Sequence, residues 1–197
     1  MKTIIVTGTP GAGKTTLSKK LAARLNFHNM DVNQIIKKYG LSEGYDKKRK
    51  TKIIDVKRLN RALIKEISSY DKKSSNTKKS MKNGENRHIK NKKKSINAQN
   101  VKKGIIIDSH LSHYLPKKYA DLCIVTKCSL KTLKHRLEQK GYSKNKVREN
   151  LDAEIFDICL NEARESGHNI LIADTTKGIN ITSLCGKIGG LIGMRVF

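Results

Sequence analysis

Acidic residues are scarce in this 197-residue chain, 17 against 42 lysines and arginines, for a formal net charge of +25. A field of that sign draws polyanions, nucleotides and RNA included. Paired cysteine motifs are missing as well. Cys123, Cys128, Cys159 and Cys185 form no C-x-x-C pair and lie in apolar or helical contexts. This argues against a structural zinc site or a disulfide frame and reads as free thiols in a reducing compartment. No apolar run reaches about 18 residues, the length needed to cross a bilayer. No signal-peptide pattern precedes the first apolar run. The expectation is a soluble, cytoplasmic protein with no membrane partner.

Apolar residues are also thin from Ser68 to Val101, where Lys, Asn and Ser dominate. From Tyr70 to Lys103 there are twelve basic residues against Asp71 and Glu85. Such a stretch buries too little surface to offset its ordering entropy, so 68–101 is expected to be a disordered insertion within one domain. Beyond Tyr70 it holds no Phe, Tyr or Trp on which a base could stack. Any RNA binding by it would be salt-sensitive and blind to sequence.

What is present begins at the N-terminus. Thr3-Ile4-Ile5-Val6-Thr7 is a short β-branched run, the mark of a buried strand. Gly8-Thr9-Pro10-Gly11-Ala12-Gly13-Lys14-Thr15 follows at once and fits G-x-x-x-x-G-K-[ST] at every fixed position. A polyphosphate needs several backbone N–H groups converging on it, and glycines at 8, 11 and 13 leave its approach clear. Lys14 supplies a charge to the β- and γ-phosphates, and the Thr15 hydroxyl can ligate Mg²⁺. Leu17, Leu21 and Leu25 repeat at helical spacing, which puts the phosphates on a helix N-terminus. Strand, loop and helix in that order predict a nucleoside triphosphate site.

The remaining pattern alternates. A short second strand is expected within 26–31, with Asp31 capping a helix closed by Gly40. Residues 42–52 read as a polar loop, and Asp55 caps a helix carrying Leu59, Leu63 and Ile67. Buried strands follow at 104–108, 121–126 and 169–174. Between the last two, Leu130, Leu133 and Leu137 mark a helix, Gly141-Tyr142 breaks it, and Ser143 caps the next. A glycine-interrupted helix spans about 179–192. Alternation of this kind predicts an α/β fold, a five-stranded parallel sheet with helices on both faces.

Gly104-Ile105-Ile106-Ile107-Asp108 has the Walker B form, four apolar or small residues ending in a carboxylate that can hold Mg²⁺. His110 stands two residues on and titrates near neutrality in its ordinary state; nothing comparable speaks for His113. Taken together, T-G-T-P-G-A-G-K-T-T, D-S-H, E-G-Y-D-x-x-R and R-L-E-Q-K-G-Y-S-x-x-K-V-x-E-N-L-x-A-E resemble the adenylate kinase isoenzyme 6 family. The likeness covers the chain except 68–101 and the extreme C-terminus.

The resemblance implies a nucleoside monophosphate kinase-like P-loop fold with a short helical lid at 139–150. It implies transfer of the ATP γ-phosphoryl to AMP, intrinsic ATPase activity, and a role in small ribosomal subunit maturation with a ribosomal protein and pre-rRNA as partners. Motif against motif, Gly11, Ala12, Gly13, Lys14, Thr15 and Thr16 fall on the ATP-phosphate loop. Lys14, Asp108 and His110 fall on catalytic positions, with Thr15 and Asp108 toward Mg²⁺. Arg49 falls in the monophosphate-binding stretch, 31–55, where its guanidinium would fork onto the AMP phosphate. Arg136 and Lys140, one helical turn apart, fall on the base-stacking and phosphate-touching positions of the lid. The family usually has Arg at the second of these; Lys140 keeps the charge and loses the planar grip. Glu154 and Asn150, on the helix after the lid, read as helix or lid support. Two alternatives stay open: a nucleotide-gated ribosome-assembly ATPase with little kinase activity, and a small-molecule kinase with another acceptor. A monomer is expected.

Overall fold

The computed structural model describes residues 1–47, 51–82 and 103–194. Its centre is β1 (Lys2–Thr7), whose Ile4, Ile5 and Val6 are completely buried. Around it run β2 (His28–Asp31), β5 (Gly104–Asp108), β6 (Leu122–Lys127) and β7 (Ile170–Asp174), all parallel, in the order β2-β5-β1-β6-β7. Later strands therefore add on both sides of β1, as in open sheets that bind ligands beyond their strand ends.

Alternating side chains split the core between the two faces. Ile5, Ile105, Ile107, Cys123 and Val125 meet α2 (Val32–Lys38), α3 (Val56–Lys82) and α6 (Ile158–Glu165), chiefly through Leu59, Leu63, Ile67 and Leu160. On the other face, Ile4, Val6, Ile106 and Ile124 meet α1 (Lys14–Leu25) and α7 (Ile181–Ile192), through Leu17, Leu21, Leu184 and Ile188. A third apolar cluster joins Ala12 of the glycine loop to Leu133 and Leu137 of α4 (Leu130–Gln139) and Val147 of α5 (Lys144–Ile155). The fold is the expected α/β P-loop architecture, a five-stranded parallel sheet flanked by helices, with a short link at 140–143 between α4 and α5.

Two expectations require correction. Residues 42–52 are not simply a loop: β3 (Ser42–Asp46) and β4 (Thr51–Ile54) pair antiparallel, Tyr45 opposite Lys52. Tyr45 and Ile53 are both exposed, so neither face of the hairpin has the buried alternation that reveals a strand. The stretch expected to be disordered from Ser68 is helical through Lys82. The cause is nucleation: the packed half of α3 carries the cost of the first turn, each later residue adds a hydrogen bond, and no proline or glycine intervenes before Gly84. The rest of the predicted insertion, from 83 to 101, lies outside the described residues. The helical run after Ser143 divides at Asp157, which takes a left-handed backbone (φ 54°) and pairs with Lys127. Among the described residues no helix is long and apolar enough to cross a membrane.

Candidate nucleotide site

Register brings the site together. In β1–β5 pairing Val6 lies opposite Asp108, and in β2–β5 pairing Asp31 lies opposite Asp108. The glycine loop thus leaves β1 beside two carboxylates at the carboxyl edge of the sheet. The loop is tightly built. Gly8 has φ 135°, and a Cβ there would come within 2.5 Å of the Thr126 carbonyl. Gly13 has φ 86° and would press its Cβ against the Thr175 side chain at 3.2 Å. The space a side chain would need at these two positions is filled by the protein itself, so packing and backbone conformation demand glycine there even before a phosphate arrives.

The half-buried Lys14 folds back over the loop, its Nζ donating to the carbonyls of Gly8 (2.8 Å) and Thr9 (3.0 Å). Loss of hydration pushes its ammonium down to about 8; Cys159 and Asp108 pull it up and Lys140 adds to the drop. Asp108 is buried, which raises its carboxyl, while a hydrogen bond from Thr15 and the charge of Lys14 oppose the rise. Thr15, Asp108 and the neighbouring Asp31 offer oxygen donors alone, a set that fits a hard cation such as Mg²⁺.

A cleft of about 700 Å³ opens over the loop, lined by Gly11, Gly13, Lys14, Thr15, Thr16, Arg136 and Lys140 among others. Ala12 lies beneath it, fully buried in the α4–α5 cluster. Arg136 is held by Thr175, its Nη1 donating to the Thr175 hydroxyl at 3.0 Å and its Nη2 to the carbonyl at 2.8 Å. The Thr175 hydroxyl in turn donates to the Ala12 carbonyl at 3.0 Å. Gly178, Ile179 and Ile181 also line the cleft. Thr175 escaped the sequence reading, since it follows a strand end far from any motif; its only signal was the position after the last buried run.

His110 needs a correction. The residue is exposed, yet loss of hydration and then the charge of Lys14, with His113 and Lys146 adding, push its imidazole down to about 4. It is a neutral imidazole at neutral pH, and its ordinary titration range is no argument for its role. His113, which sequence gave no reason to notice, is buried, with Nδ1 2.7 Å from the Thr7 hydroxyl and Nε2 2.9 Å from Glu162. Arg49 lies outside the described residues.

Comparison with known proteins follows the geometry. The chain matches the AAA domain family over residues 4–157. It is 35% identical over 173 residues to a putative adenylate kinase of Methanocaldococcus jannaschii, covering 88% of this chain and 76% of that one. It is 32% identical over 163 residues to the adenylate kinase isoenzyme 6 homolog of Schizosaccharomyces pombe, covering 83% and 74%. The chain belongs to the adenylate kinase isoenzyme 6 family. Among solved structures, a sugar kinase of Janibacter sp. HTCC2649 superposes with a TM-score of 0.55 at 12% identity, covering 99% of this chain and 96% of that one. That likeness concerns the fold alone.

The tight seat of Gly8 gives a direct test. Gly8→Ala is expected to destabilise the protein by on the order of 3 kcal/mol, combining overpacking with a disfavoured backbone. Thermal denaturation checks it; a melting temperature equal to wild type would contradict the geometry.

Proposed function

We propose that the protein is an adenylate kinase, transferring the γ-phosphoryl of ATP to AMP with Mg²⁺, and hydrolysing ATP slowly when no acceptor is present. The observation that carries the reading is the convergence of Lys14, Arg136 and Lys140 on one cleft that Thr15 also lines, at the strand edge where Asp108 lies opposite Val6. Cations gathered around a glycine loop with hard oxygen donors at its edge suit a polyphosphate and little else. The names of the archaeal and yeast relatives support the same reaction.

In this reading the loop N–H groups cradle the phosphates and Lys14, held over the loop by the Gly8 and Thr9 carbonyls, turns its remaining N–H to the β- and γ-phosphates. Thr15 and Asp108 would hold Mg²⁺, which neutralises phosphate charge when bound. Arg136, braced by Thr175, presents its guanidinium face to the adenine, with Ile179 lining the same cleft. Lys140 touches phosphate as a point charge. His110, neutral, accepts or donates one hydrogen bond near the transferred group. The acceptor side belongs to 31–55, built of α2 and the β3–β4 hairpin, with Arg49 on the AMP phosphate. Phosphoryl transfer needs mainly position and charge, and this set supplies both.

A second role is compatible with the first. Lys57, Arg61, Lys65 and Lys72 are exposed along α3, and the sequence beyond stays lysine-rich. We read this as a polyanion-facing surface, in keeping with work on ribosomal RNA in the cytoplasm, with the nucleotide site as its switch.

Lys14→Ala is expected to lower ADP formation from ATP, Mg²⁺ and AMP by at least about 100-fold, and chelation of Mg²⁺ to stop it in the wild type. Coupled assay of ADP measures both, and full activity in the variant would overturn the assignment. For the second role, deleting residues 72–94 is expected to weaken RNA binding at low salt and to flatten its salt dependence. Filter binding with an unstructured RNA reads this out; unchanged affinity would remove RNA from the account.

A further inference from the structure

Thr9 is the hub of the phosphate loop. Its carbonyl accepts both Lys14 Nζ (3.0 Å) and the Ala12 N–H (3.0 Å), so a shift of Thr9 moves the lysine and the turn together. Its side chain is buried, and its hydroxyl donates to Glu154 Oε2 at 2.6 Å. The other oxygen of that carboxylate accepts the Cys128 N–H at 3.1 Å. Cys128 directly precedes Ser129, which caps α4, and α4 carries Arg136 and ends at Lys140. Glu154 itself belongs to α5, the helix on the far side of the lid link, and is only 5% exposed.

One buried carboxylate therefore touches the phosphate loop and the root of α4 from α5. We infer that Glu154 is a positioning residue, the bracket that keeps Lys14 and the lid cations Arg136 and Lys140 in one register over the nucleotide. The inference rests on the reading of the cleft as an ATP site. Apolar packing alone does not do this work. Ala12, Leu133, Leu137 and Val147 bring the helices onto the loop, but such contacts slide at little cost, whereas two directed hydrogen bonds fix the approach. Without Glu154 the buried Thr9 hydroxyl and Cys128 N–H would lose these hydrogen bonds in the protein interior. The neighbouring ion pair of Lys127 and Asp157 ties β6 to the start of α6.

A residue that merely stabilises the fold would alter the melting temperature and leave turnover per folded molecule unchanged. A positioning residue lowers kcat, because small displacements of reacting groups are costly. The test compares Glu154→Ala, Glu154→Gln, Thr9→Val and Thr9→Val with Glu154→Ala combined. The expected result is a drop in kcat of about tenfold or more for Glu154→Ala, with a smaller change in KM for ATP. Glu154→Gln should recover most of it, since its amide keeps an acceptor for Cys128 and a partner for Thr9. The double variant should be no slower than Glu154→Ala alone, because both changes cut one connection. Unchanged kcat in Glu154→Ala, or multiplying losses in the double variant, would overturn the proposal. Should Glu154→Ala not fold, Thr9→Val and Glu154→Gln keep their side-chain volume and decide the matter: kcat unchanged by Thr9→Val overturns it. Rates are taken with AMP and, separately, as ATP hydrolysis alone, with affinity for a fluorescent ATP analogue. A wild type indifferent to AMP would refute the adenylate kinase reading, while the hydrolysis rates would still judge Glu154.

Discussion

The parallel register of β1 with β5 is the constraint on which the site depends. Val6 opposite Asp108 sets how far the glycine loop projects beyond the carboxylate, and so how near Thr15 and Lys14 stand to it. A slip of one residue would turn Ile4 and Val6 from the α1–α7 face to the other, so the core and the site enforce the same register. Packing thus fixes the chemistry: the residues that bury the sheet are the ones that measure the loop.

Around that alignment the loop is held from three sides. Thr126 crowds Gly8 from β6, Thr175 reaches Ala12 and braces Arg136 from the end of β7, and Glu154 grips Thr9 from α5. Positive charge gathered at one place is self-repelling; Lys14 and Lys140 each press on the other, and burial draws Lys14 down further. A bound polyphosphate relieves this repulsion while the loop hardly needs to rearrange. Pre-formed donors of this kind are what make electrostatic catalysis effective, since no reorganisation is needed as charge develops. The neutral His110 does not add to the crowd of cations.

Much of this could be read from the sequence, for definite reasons. The central strands β1, β5 and β6 announced themselves because a parallel strand covered on both faces is apolar along almost its whole length, as in Ile105 to Ile107. The loop showed because its chemistry is strictly local: glycines, Lys14 and Thr15 lie within eight residues. The β3–β4 hairpin did not, because Tyr45 and Ile53 are exposed and no periodicity survives. The extension of α3 to Lys82 was hidden by composition, since helix propagation needs no apolar face once the first turns are packed. The bracing of Arg136 by Thr175 joins residues 39 apart, and Glu154 meets Thr9 across 145; single-sequence patterns do not carry such distances. The depressed histidine was likewise invisible, because it depends on which charges the fold brings near.

The central claim is that one cleft holds two nucleotides end to end, ATP on the glycine loop and AMP on the side of 31–55. Calorimetric titration with a bisubstrate compound, two adenosines joined by five phosphates, tests this most directly. The account predicts one site per chain, bound at least about 100-fold more tightly than ATP or AMP alone, because joining the two ligands makes the second contact intramolecular. Binding no tighter than that of ATP would show that the second nucleotide has no place beside the first, and would contradict the account.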